Sequence, residues 1–223
     1  WTVSYDAATT TADLQARINA GQAHIYLAAG TTFEGTVYMK NNVTLEGLED
    51  ATMHSIHLNG ASNVTIKNIT FEAAGATMAY SLRSETGTAI RNANILTGNK
   101  EVNEKTHAAR NITIEGCTFQ GNLKEGAAAI AFTDQGRKSG YSGNITIKKC
   151  TFNTKGVGYD IYGYYCGYEN FVIEDNTFSS EFAQGGHIFL GSYASATPIV
   201  VKYNIFEKVS TLGDAMYTTS NST

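Results

Sequence analysis

The chain repeats one nine-residue phrase. It reads NVTIKNITF from Asn63 to Phe71, NITIEGCTF from Asn111 to Phe119, NITIKKCTF from Asn144 to Phe152, NFVIEDNTF from Asn170 to Phe178 and PIVVKYNIF from Pro198 to Phe206. A shorter copy, NVTLEG, begins at Asn42. The starts at 42, 63, 111, 144, 170 and 198 lie 21 to 48 residues apart. Self-similarity on this scale means one structural unit stacked on itself. The longest interval spans two ordinary ones, which predicts a degraded copy at Asn92–Leu96 (NANIL).

Within each copy the apolar residues fall at offsets 1, 3, 6 and 8, as in Ile112, Ile114, Cys117 and Phe119. Offsets 1 and 3 alternate like a strand with one buried face. The odd step from 3 to 6 breaks the alternation and predicts a bend. Stacked copies then form columns of like side chains about 4.8 Å apart: Leu45, Ile66, Ile114, Ile147, Ile173 and Val201 in one, and Phe71, Phe119, Phe152, Phe178 and Phe206 in another. A second strand follows each phrase. GAAAIAFT, GYDIYGYY, GGHIFLGS and GDAMYTT align on Ile130, Ile161, Ile188 and Met216. Thr10–Ala20 (TTADLQARINA) reads as one amphipathic helix with Thr10 as its N-cap and Leu14 and Ile18 on one face, placed to cover the open end of the stack.

These columns, together with the opening DLQARINAGQAHIYLAAGTTFEG, resemble the right-handed parallel β-helix superfamily of pectin lyases, pectate lyases and polygalacturonases. The resemblance implies an all-β chain: one β-helix domain over residues 1–223, with a capping helix at 10–20 and coils from 22 to 223. Roughly eight coils would make a rod on the order of 40 Å long. TTSNST at the C-terminus offers no capping element, which suggests a segment cut from a longer protein or an end covered by a partner.

In that superfamily the active groove runs along an outward face of the coils. With the aligned isoleucines facing in, the outward columns of the second strands are Ala129, Asp160, His187 and Ala215, then Ala131, Tyr162, Phe189 and Tyr217, then Thr133, Tyr164 and Gly191. Asp160 and His187 are the acid–imidazole pair this register brings together, and hence the candidate general acid–base residues. Tyr162, Tyr164, Phe189 and Tyr217 form the candidate carbohydrate platform, because aromatic rings on successive coils offer apolar faces to sugars.

GGHIFLGS resembles the Gly-His-Gly-Ile-Ser-Ile-Gly-Ser segment of polygalacturonases at Ile188, Gly191 and Ser192, with His187 displaced by one residue. Inverting hydrolysis needs two carboxyl groups. Here the corresponding place reads Tyr159-Asp160-Ile161, and Ala215-Met216-Tyr217 stands where that family has Arg-x-Lys. Glu115, Asp134, Glu174 and Asp175 do not build the stacked acidic cluster that calcium-dependent lyases use. The catalytic motif is therefore not intact. The expectation is a non-catalytic extracellular or cell-surface module of bacterial origin that binds polysaccharide or surface glycan, or acts as an adhesin. A lyase or glycoside hydrolase and a structural spacer are the alternatives.

Net charge of −4 gives no basis for nucleic-acid binding, and no stretch is long and apolar enough to span a membrane. No cofactor or metal is expected: His54-x-x-His57 lies on a strand or turn without a third ligand near it in sequence. Cys117 and Cys150 share one offset and are expected to stack as small core residues, with a disulfide as the alternative; Cys166 is left unpaired. Four of the Asn-x-Thr triplets, at Asn42, Asn63, Asn111 and Asn144, open the phrase, so a turn role outweighs glycosylation there. The polar loop from Asn99 to Arg110 is a candidate recognition excursion.

Overall fold

A computed structural model describes residues 5–58, 60–73, 92–97, 110–132, 142–195, 197–207 and 216–220. Its strands are β1 (Ala7–Ala8), β2 (His24–Leu27), β3 (Thr32–Tyr38), β4 (Thr44–Gly47), β5 (Thr52–His57), β6 (Val64–Lys67), β7 (Thr70–Glu72), β8 (Asn92–Leu96), β9 (Arg110–Glu115), β10 (Thr118–Phe132), β11 (Ser142–Lys148), β12 (Thr151–Glu174), β13 (Thr177–Phe178), β14 (Glu181–Ser195), β15 (Val200–Lys202), β16 (Ile205–Phe206) and β17 (Met216–Ser220). They pair in parallel, each with its counterpart in the next copy of the repeat. The column at offset 3 runs Ile25, Leu45, Ile66, Ile114, Ile147, Ile173, Val201, so the described residues contain seven rungs.

The apolar offsets face inward. Ile112, Ile114, Cys117 and Phe119 are at most 1% exposed, and their equivalents on most other rungs are as deeply buried. The phenylalanines stack face to face along the tube: Phe71, Phe119, Phe152, Phe178 and Phe206 have ring centroids 5.0, 4.8, 4.7 and 4.8 Å apart. The predicted bend is also present. Offset 5 has positive φ in Asn68 (56°), Gly116 (63°), Lys149 (54°), Asp175 (56°) and Tyr203 (57°).

A second turn opens the phrase. Asn42, Asn63, Asn111, Asn144 and Asn170 all have φ between 50° and 63°, a conformation that asparagine tolerates better than most residues. Their side chains form a continuous ladder. The amide of Asn63 donates to Asn42 Oδ1 at 2.7 Å, Asn111 to Asn63 at 2.7 Å, Asn144 to Asn111 at 2.8 Å and Asn170 to Asn144 at 3.0 Å.

Offset 6 changes from cysteine at Cys117 and Cys150 to asparagine at Asn176 and Asn204, two chemistries that meet the same need. Asn176 and Asn204 donate Nδ2 to the carbonyls of Ile147 and Ile173 at 3.0 and 2.9 Å. Cys117 and Cys150 direct Sγ at the carbonyls of Ile66 and Ile114, each at 3.7 Å. Both thiols are free and buried, so they stack without a disulfide. Burial, and then the neighbouring Cys117, pushes the Cys150 thiol well above its ordinary pKa. Cys166 has no described side chain.

NANIL is not a degraded copy of the phrase. In β8, Ile95 pairs with Ile130 and with Ile56, which makes it a second strand. Strand β6 pairs directly with β9, so the interval from 63 to 111 is one coil carrying long insertions. At the N-terminal end, α1 (Thr11–Asn19) covers the first rungs. Thr10 Oγ1 accepts the Asp13 N–H at 3.1 Å, and Leu14 and Ile18 are fully buried.

Candidate functional site

The second strands do not alternate simply. Ala129 and Ile130 are consecutive, both 0% exposed, and both belong to the tube core; Asp160 and Ile161, and His187 and Ile188, repeat that pattern. Two neighbours facing the same way require a bend between them, which period-two reading cannot register. Beyond the bend, Ala131, Tyr162 and Phe189 turn out, and Phe132 and Leu190 turn in.

This corrects the placement of the candidate acid–base pair. Asp160 is 0% and His187 1% exposed, both inside the tube. His187 Nδ1 lies 2.8 Å from Asp160 Oδ2. Ser180 Oγ and Thr154 Oγ1 donate to Asp160 Oδ1 at 2.7 and 2.8 Å, and the Thr154 N–H donates to Ser180 Oγ at 2.8 Å. The imidazole is surrounded by the rings of Phe178, Phe182 and Phe206, at 5.5 to 5.8 Å. Burial pushes the Asp160 carboxyl above its ordinary pKa, against the opposing pull of His187, Ser180 and Thr154. Thr154 and Ser180 are partners that sequence reading missed; they stand at equivalent places just after Phe152 and Phe178, and that was the available signal.

The column continues upstream, past Ala129, as Asn94 and Ser55. Asn94 Nδ2 donates to the carbonyls of His54 and Glu72 at 2.7 and 2.9 Å, and Ser55 Oγ to that of Ala93 at 2.7 Å. One interior corner of the tube is therefore polar along several rungs. Asp160, His187, Ser180 and Thr154 satisfy one another, and the buried column is shielded from any polymer on the outer face.

The aromatic residues do face outward, in a cluster separate from the tube core. Tyr162 and Phe189 stack at 5.2 Å with planes 11° apart, and Tyr159 lies 5.1 and 5.4 Å from them. Tyr159 stands opposite Gly186 on the next rung, which has no side chain to displace its ring. Ala93, Leu96, Ala128 and Ala131 form the floor of the cluster. Tyr162 is only 8% exposed, while Tyr159 and Phe189 are partly exposed. Burial raises the Tyr159 phenol pKa. Tyr164 lies in β12 and Tyr217 in β17, but their side chains are outside the described residues, as are Thr133, Ala215 and the loop at 99–109. Tyr168 turns inward, fully buried against Phe171 and Phe132.

His54 and His57 do not converge. His54 Nδ1 accepts the Gly35 N–H at 3.3 Å, whereas His57 is buried beside the Tyr38 ring at 5.6 Å. No helix among the described residues is long and apolar enough to cross a membrane.

The outer face also carries a charge column that offset 4 spells out in sequence: Glu46, Lys67, Glu115, Lys148, Glu174, Lys202. Each is the register partner of the next. Lys67 meets Glu46 at 2.9 Å, Lys148 meets Glu115 at 3.3 Å and Lys202 meets Glu174 at 3.0 Å.

Compared with known proteins, the chain matches the family model described as the right handed beta helix region over residues 17–223. No curated protein matches it.

Proposed function

The chain belongs to the right-handed β-helix family, and from that premise we propose that it is a non-catalytic extracellular module that binds polysaccharide through the aromatic cluster on its second strands. The observation that carries this reading is the outward, cross-rung cluster of Tyr159, Tyr162 and Phe189, with Tyr159 and Phe189 reaching solvent. Partly exposed rings combine an apolar face with, in Tyr159, a polar tip, which suits a sugar surface. The enclosure of Asp160 and His187 supports the non-catalytic half of the reading, because a general acid or base must come within hydrogen-bond reach of its substrate. Low charge, with 16% charged residues, and 22 glycines against one proline support the extracellular assignment.

The spacer reading stands second. The 8% exposure of Tyr162 and the near-parallel stacking of its ring on Phe189 favour cross-strand packing as the cluster's task. One experiment separates the readings. The protein is run in affinity gels containing acidic and neutral polysaccharides, and reducing ends and unsaturated products are measured in parallel. Binding without product, weakened by Phe189→Ala and Tyr159→Ala and unchanged in Asp160→Asn, is expected. Turnover abolished by Asp160→Asn would replace the proposal with the enzyme reading. Absence of binding to every polysaccharide would leave the spacer.

A further inference from the structure

Charge is distributed unevenly around the tube. The phrase carries it at offset 4 on six successive rungs, from Glu46 to Lys202. The second strands do not carry it. Their register column runs Val37, Ile56, Ile95, Ile130, Ile161, Ile188 and Met216. Around that column lie β3, β5, β8, β17 and the segments Gly126–Thr133, Gly158–Tyr165 and Gly185–Ser192. Together they hold none of the chain's 16 lysines and arginines. Their carboxylates are Glu34 and Asp160, and Asp160 is enclosed in the tube. Ala215-Met216-Tyr217, where polygalacturonases have Arg-x-Lys, is uncharged as well.

Cations elsewhere on the described surface are held by carboxylates of the same chain. Lys67, Lys148 and Lys202 meet Glu46, Glu115 and Glu174 at 2.9 to 3.3 Å. Arg110 meets Glu169 at 3.3 Å, and Arg17 meets Asp6 and Asp13, each at 3.0 Å. An anionic polymer would have to displace these partners. It would also approach a chain whose net charge is −4.

At the aromatic cluster the surroundings are apolar. Ala93, Leu96, Ala128 and Ala131 lie beneath the rings. Burial alone raises the Tyr159 phenol pKa, so the group keeps its proton at neutral pH and can both donate and accept a hydrogen bond. A carboxylate or sulfate laid against this surface would lose hydration and gain no cation from the second strands. An uncharged pyranose loses less. Its C–H face covers the rings, while its hydroxyls stay in water or bond to the phenol.

We infer that the face built by the second strands takes a neutral polysaccharide and rejects polymers that carry a carboxylate or sulfate on each sugar. The inference rests on the glycan reading above and narrows it to one chemical class.

Polymers matched in backbone and differing in charge test it. Hydroxyethylcellulose is paired with carboxymethylcellulose, galactomannan with its carboxymethyl derivative, and carboxyl-reduced polygalacturonate with polygalacturonate itself. The full chain is run in affinity gels of each at about 10 mM and about 150 mM salt, where the screening length falls from about 30 Å to about 8 Å. In at least one pair the neutral member should bind more tightly, by about tenfold or more, and equally at both salts. Tyr159→Ala with Phe189→Ala should remove that retention. Stronger retention by the charged members, or retention that collapses at the higher salt, would overturn the inference and leave the glycan reading standing. Retention unchanged in the double variant would move binding off this face and overturn the inference. Retention by neither member of any pair would overturn both.

Discussion

The phenylalanine stack makes a quantitative demand on any residue inside it. Phe152 is 0% exposed and lies between two parallel rings, Phe119 at 4.8 Å and Phe178 at 4.7 Å. Phe152→Ala removes a ring that buries roughly 150–250 Å², and buried Phe→Ala changes cost about 3–5 kcal/mol once the cavity is included. The ring is stacked on both faces, which places Phe152 in the upper half of that range, about 4–5 kcal/mol. Phe206 sits at the end of the same column with one stacking partner at 4.8 Å and part of its surface already in water. With less area buried and only one face stacked, Phe206→Ala should cost about 2 kcal/mol. Urea denaturation followed by far-ultraviolet circular dichroism measures both. At about 2–4 °C per kcal/mol for a chain of this size, the melting temperature of Phe152→Ala should fall by on the order of 10 °C. A Phe152→Ala variant no less stable than Phe206→Ala would refute the reasoning.

Three further outcomes rest on particular side chains. Because burial raises the folded pKa of Asp160, its contribution to stability is fully present below the unfolded value near 3.9 and is lost as pH rises through the folded value. Relative to Asp160→Asn, the wild type should therefore weaken above about pH 4, by at most about 1.4 kcal/mol per pH unit, in melts recorded from pH 3 to 8. Glu115→Lys sets like charges beside Lys67, Lys148 and Lys149, and should cost about 1 kcal/mol, part of it recovered in the Glu115→Lys/Lys148→Glu double variant; a denaturation cycle at low and high salt reads the coupling. Asn144 has φ 54° and two ladder bonds, so Asn144→Ala should destabilise more than Asn144→Gly, by about 1 kcal/mol, since glycine keeps the conformation that alanine resists.

The scaffold was legible because its physics is periodic. Ile114, Cys117 and Phe119 announce the inward face through their spacing, and the step across Gly116 announces the bend. The Thr10 cap of α1 was readable from local chemistry alone. Legibility failed where the chain departs from a period. Asp160 and Ile161 face inward together, because a corner falls between them, and alternation alone turns one of them out. NANIL resembled a phrase in composition, yet it pairs as a second strand, which only register reveals. Two features were readable but needed columns to be read down offsets rather than along strands: the alternating Glu46-to-Lys202 charges and the Asn42-to-Asn170 amide ladder. Neither belongs to the candidate binding face, where Tyr159, opposite Gly186, lies against Tyr162 and Phe189.

The enclosure of Asp160 and His187 inside the tube separates a polar core from the outward aromatic cluster. Diethylpyrocarbonate labelling of the native protein, followed by peptide mass spectrometry, tests that placement directly. His24, whose side chain is 42% exposed, should be modified in the folded protein, and His187, at 1%, only after denaturant unfolds the coils. Modification of His187 in the folded protein at a rate comparable to that of His24 would contradict the account.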